Sequence, residues 1–145
     1  MLEEDRGQLV QRLRTRLVAR AEILEAYLFG SQARRAGQPH SDVDVAVYVN
    51  PASLRGSPFG YAAEVTAELV TALGHDAVDV VVLNHAPPLL YHRVLRDGLR
   101  LLTRDPSATT TREGRALSRY CDYLPHLRKI DAAHAVRIES GKFGR

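Results

Sequence analysis

The chain has 145 residues, 45% hydrophobic and 26% charged, with a formal net charge of +3. Such values suit a single globular domain and exclude fibrous and wholly disordered classes. No apolar run nears the roughly 18 to 20 residues that span a bilayer, and the chain opens MLEEDRG, acidic where a secretory leader is basic, so a cytoplasmic protein is expected.

The first segment, LEEDRGQLVQRLRTRLVARAEIL, spaces Leu9, Leu13, Leu17, Ala21 and Leu24 by three and four residues, which predicts an amphipathic helix. It leads into AYLFGS, where Tyr27, Leu28 and Phe29 predict a short buried strand ending at Gly30. In SQARRAGQPHS, Ser31 can cap a helix of one or two turns that Gly37 and Pro39 end. DVDVAVYVN is the clearest strand, with Val43, Val45, Val47 and Val49 on one face and Asp42, Asp44, Ala46 and Tyr48 on the other.

YAAEVTAELVTALG predicts a helix with Ala62, Val65, Leu69 and Leu73 on one face and Gly74 as its cap. DAVDVVVLN reads as a buried strand, PPLLYHRVLRDG as a helix opened by proline and closed by Gly98, and LRLLTRD as a last strand. From Asp105 the chain turns helical: Thr110 with Glu113 has capping-box spacing, Leu117, Tyr120 and Leu124 continue the stripe, and Pro125 is expected to break or restart it. This order predicts an α/β or α+β fold, a small mixed sheet covered by helices, with residues 1–104 as the main unit and 105–145 as its helical extension.

Charge is unevenly spread, since residues 112–145 carry eight Lys or Arg against four acids. A basic helix of this kind can meet an acidic protein surface or nucleic acid, although a solvated face explains it as well. Cys121 is the single cysteine, so no intrachain disulfide or cysteine-built zinc site arises, and a half-buried place on a helix is expected for it. His75, His85, His92, His126 and His134 lack metal-ligand spacing and are expected on surfaces or helices, and His40 lies near Asp42 without a clear role.

Chemistry concentrates in GSQARRAGQPHSDVDVAVYV. Gly30 and Ser31 stand where a strand turns into a helix start, whose outward N–H groups and dipole favour a phosphate. Arg34 and Arg35 follow within one turn, and a guanidinium offers a planar fork of donors to a triphosphate. Asp42 and Asp44 project from one face of a strand, and two like charges so close call for a cation between them. Magnesium suits, because it prefers carboxylate and phosphate oxygens. Asp79 interrupts an apolar strand, and if that strand lies beside the first, its carboxylate joins the pair; Asp76 competes for the role but occupies the turn before it. Three aspartates, two metal ions and a phosphate cradle describe in-line phosphoryl or nucleotidyl transfer. Asp42 and Asp44 would bridge both ions, and Asp79 would hold the ion at the nucleophile and take its proton.

Gly30-Ser31, ten further residues, and then Asp42-Val43-Asp44 resembles the signature of the DNA polymerase beta-like nucleotidyltransferase superfamily, in which Asp79 matches the third catalytic carboxylate. The short chain is similar to the minimal nucleotidyltransferases, or MNT antitoxins. One departure is Arg35, which stands after Arg34 where that family commonly has glycine. The resemblance implies a polymerase beta-like nucleotidyltransferase fold with a helical C-terminal tail and a magnesium-dependent enzyme. It also implies ATP as AMP donor and a tyrosine of a HEPN-domain toxin as acceptor, in a type VII toxin–antitoxin system. A hetero-oligomer with that toxin is open, direct nucleic-acid binding is not expected, and base specificity is not set by any motif. Two other functions compete with this one: a stoichiometric antitoxin without catalysis, and a small-molecule transferase of the aminoglycoside-modifying kind.

Overall fold

Valine at every second position makes the central strand. In the computed structural model, which describes residues 2–30, 42–54, 58–74 and 77–139, Val43, Val45, Val47 and Val49 are all but fully buried on one face of β2 (Val43–Val49). The sheet has four strands in the order β3-β2-β1-β4. β1 (Ile23–Phe29) pairs antiparallel with both β2 and β4 (Leu99–Thr103), while β3 (Val78–Val82) runs parallel to β2 at one edge. The parallel pair needs a crossover, which α2 (Pro58–Leu73) supplies, and Gly74 closes that helix at φ 63° with its N–H donating to the Val70 carbonyl.

Two cores flank the sheet. On the valine side, Leu13 and Leu17 of α1 (Leu2–Val18) and Tyr61, Val65 and Leu69 of α2 pack against Ile23, Leu28 and the β2 valines. On the other side, Tyr91 and Val94 of α3 (Pro88–Asp97) and Ala116 of α4 (Pro106–Glu139) meet Tyr27, Ala46 and Leu83. The α+β architecture matches the expectation, and the elements follow the predicted order. The short helix expected after Ser31 lies outside the described residues.

Several boundaries differ from the sequence reading. The first helix stops at Val18 rather than running to Leu24, and Ile23 and Leu24 already belong to β1. Long-range bonds explain the early stop. The Arg104 guanidinium donates to the carbonyls of Val18, Arg20 and Ile23, and Arg20 is held by Glu22, Glu64 and Glu68. No local periodicity encodes either cluster.

The C-terminal helix begins at Pro106, not near Thr110, because the Asp105 carboxylate caps it by accepting from the N–H groups of Ser107 and Ala108 at 3.1 and 3.2 Å. Glu113 is therefore not a cap partner. It accepts instead from the Tyr27 hydroxyl at 2.8 Å and from Arg100. Nor does Pro125 break the helix, which continues through it on an exposed turn for 34 residues, about 50 Å at 1.5 Å per residue. Cys121 is exposed on α4 rather than half-buried.

Candidate active site

The face of β2 opposite the valines carries the acids. Asp42 leads into the strand and Asp44 lies two residues on, so a period of two sends both side chains to the α3 side of the sheet. Parallel pairing sets Asp44 directly beside Asp79 of β3, and antiparallel pairing sets Phe29 on its other flank. Asp44 thus stands between the third carboxylate and the end of β1, where Gly30 turns the chain at φ 77°.

Glycine is needed at that turn for two reasons. Positive φ disfavours any side chain, and a Cβ on Gly30 would run into Oδ2 of Asp44. The space that a side chain would fill is occupied by the carboxylate itself. Desolvation raises the proton affinity of Asp44 above the ordinary carboxylate value, and the negative charges of Asp79 and then Asp42 raise it further. Both of the other carboxylates are thus felt at Asp44. Asp79 itself is exposed, because β3 is an edge strand, and not enclosed as the apolar sequence around it suggested.

Among the described residues no three acidic, histidine or cysteine side chains close into a metal cage. Magnesium does not demand one. It takes one or two carboxylates and completes its octahedron with substrate phosphates and water, so an open row of carboxylates on one face fits it. Ser31, Arg34, Arg35, His40, His75 and Asp76 lie outside the described residues.

Farther along the same face is a charged group that the sequence reading missed. Glu25 is fully buried in β1, in register with Tyr48, and accepts from Nε and Nη2 of Arg112 on α4. The Arg112 guanidinium also lies over the Tyr48 ring, 4.7 Å from its centroid. Extending the first helix to Leu24 hid this acid. The alternation of Glu25, Tyr27 and Phe29 was the available signal.

Known proteins show similarity at two levels. The family model "Polymerase beta, Nucleotidyltransferase" matches residues 11–107. Among solved structures, a protein assigned as a minimal nucleotidyltransferase is 30% identical, with 68% of this chain and 93% of that one covered and a TM-score of 0.50. A chain of a mutant MntA–HpeT toxin–antitoxin is 22% identical, covers 88% and 97%, and gives a TM-score of 0.68. A chain from the tri-AMPylated Shewanella oneidensis HEPN toxin in complex with MNT antitoxin is 22% identical, covers 92% and 98%, and gives a TM-score of 0.63. The latter two likenesses are of fold. Among curated proteins none matches.

Proposed function

The chain belongs to the polymerase beta nucleotidyltransferase family, and from that premise we propose that it transfers AMP from ATP to a tyrosine hydroxyl of a HEPN-domain toxin, as the antitoxin of a type VII toxin–antitoxin pair. The observation that carries this reading is the register of Asp44, flanked by Asp79 on one strand and by the Phe29–Gly30 turn on the other. Similar structures support the choice of substrate and partner: one is a toxin–antitoxin with AMP-PNP, and another holds an AMPylated HEPN toxin with its MNT antitoxin. No helix among the described residues is long and apolar enough to cross a membrane.

Asp42, Asp44 and Asp79 would hold magnesium, which when bound would lower the pKa of the acceptor hydroxyl and neutralise charge on the pyrophosphate. The Gly30-Ser31 turn and Arg34 bind the triphosphate through backbone N–H groups and a guanidinium. Asp79 takes the proton of the tyrosine hydroxyl. The tyrosine oxygen attacks the α-phosphorus in line, a new P–O bond forms, the α–β P–O bond breaks, and pyrophosphate leaves. Repeated transfer is part of the same reading, because the Shewanella oneidensis toxin solved with MNT antitoxin is tri-AMPylated.

The test is mass spectrometry of a HEPN partner encoded beside this chain after incubation with ATP and magnesium. Adenylylation of a tyrosine is expected, and its absence overturns the reading. So does full neutralisation of the toxin by a chain carrying both Asp42→Asn and Asp44→Asn, since the protein would then act by binding alone.

A further inference from the structure

Beyond the acids, on the same side of the sheet, α4 and β2 enclose a groove of about 840 Å³. Tyr48 begins it, four residues along the strand from Asp44, or about 13 Å at ~3.3 Å per residue. Its α4 wall carries three arginines. Arg112 is committed to Glu25 and to the Tyr48 ring, whereas Arg115 and Arg119 stand one turn apart with exposed side chains and no carboxylate partner among the described residues, Arg119 lying over the Tyr91 ring at 5.8 Å. At the floor, Tyr91 is 1% exposed, and its hydroxyl is buried without a hydrogen-bond partner among the described residues. Buried hydroxyls are nearly always paired, so a donor left over beneath two uncommitted guanidiniums marks a place for an acceptor-rich, anionic ligand.

None of these residues takes part in the transfer described above. We propose that the groove is a phosphate-binding subsite for an acceptor that already bears nucleotide: Arg115 and Arg119 hold the phosphodiester of attached AMP, and the Arg112–Tyr48 pair offers a planar surface for its base. The proposal rests on the adenylyltransferase reading and deepens it. In a second round a ribose hydroxyl of the attached AMP attacks the α-phosphorus of a new ATP, the α–β P–O bond breaks, pyrophosphate leaves, and the hydroxyl proton passes to Asp79. The groove holds the attached nucleotide near the acids between rounds, as guanidiniums and aromatic rings do for single-stranded nucleic acid.

Two measurements on the full chain test this. First, a fluorescently labelled 5′-phosphorylated diadenylate is titrated into wild type, Arg115→Glu with Arg119→Glu, the milder Arg115→Gln with Arg119→Gln, and Tyr91→Phe. Loss of two charge-assisted contacts is expected to weaken binding by about tenfold or more in the charge reversal and less in the glutamine and phenylalanine variants. Second, mass spectrometry counts AMP units on the toxin. The charge reversal is expected to leave the first transfer intact while products with two or more units disappear. If instead ATP affinity and first transfer fall together, the groove serves the donor and the proposal is overturned. It is overturned equally if diadenylate binding ignores the charge reversal, or if multiple units prove to sit on separate tyrosines. Absence of any transfer by wild type defeats the underlying function instead, and the diadenylate titration still judges the groove.

Discussion

On the side of the sheet that meets α1 and α2, β2 presents only valines, and the residues packed against them are aliphatic or aromatic. On the side that meets α3 and α4, the same strand and its lead-in present Asp42, Asp44, Ala46 and Tyr48, with Asp79 and the buried Glu25 beside them. The first face holds the fold and the second spends some of that stability on charge. Burial and two neighbouring acids make ionised Asp44 unfavourable in the folded chain, and only a rigid strand locked from behind keeps it there.

The contrast can be broken at several points, with effects of decreasing size. Replacing both Asp42 and Asp44 by Asn removes the proposed metal ligands and is expected to cut transfer by on the order of 10³-fold or more, while circular dichroism and melting show an intact fold. Arg112→Ala strands the fully buried Glu25 without its cation. A denaturant titration is expected to show a loss of about 3 to 5 kcal/mol, most of it restored by adding Glu25→Gln. On the apolar face, Leu13→Ala or Leu69→Ala leaves a cavity among fully buried neighbours and costs about 2 to 5 kcal/mol in the same assay, with transfer per folded molecule unchanged.

The smallest effect sharpens the comparison most. Asp44 has its proton affinity raised on folding, so the folded chain binds a proton more readily than the unfolded one. Its contribution to stability is therefore fully present below the ordinary carboxylate value of 3.8 and is lost as pH rises through the raised value. Asp44→Asn is accordingly expected to raise the melting point of the metal-free chain at neutral pH, with the gain shrinking as the solution is acidified through that window. An equal effect at all pH values would show that the strain assigned to this carboxylate is not electrostatic.

Much of this was legible from residues alone, where a pattern repeats over a few neighbours. The valine alternation fixed the strand and put Asp42 and Asp44 on one face, and the sequence of helices and strands followed from periodicity and from Gly74, Pro88 and Gly98. What the sequence could not reach were pairings between residues distant along the chain. Glu25 meets Arg112, Tyr27 meets Glu113, and Arg104 holds the turn between α1 and β1, each across more than 80 positions. The register that sets Asp79 beside Asp44 is of this kind too, since a parallel pair is closed by a crossover helix and not by a turn whose residues name their partners. Local chemistry determined which side chains were available on each strand and helix. Tertiary packing alone decided where α1 stopped, where α4 began, and which charges met across the sheet, because burial and long-range hydrogen bonds outweigh local propensity where they compete.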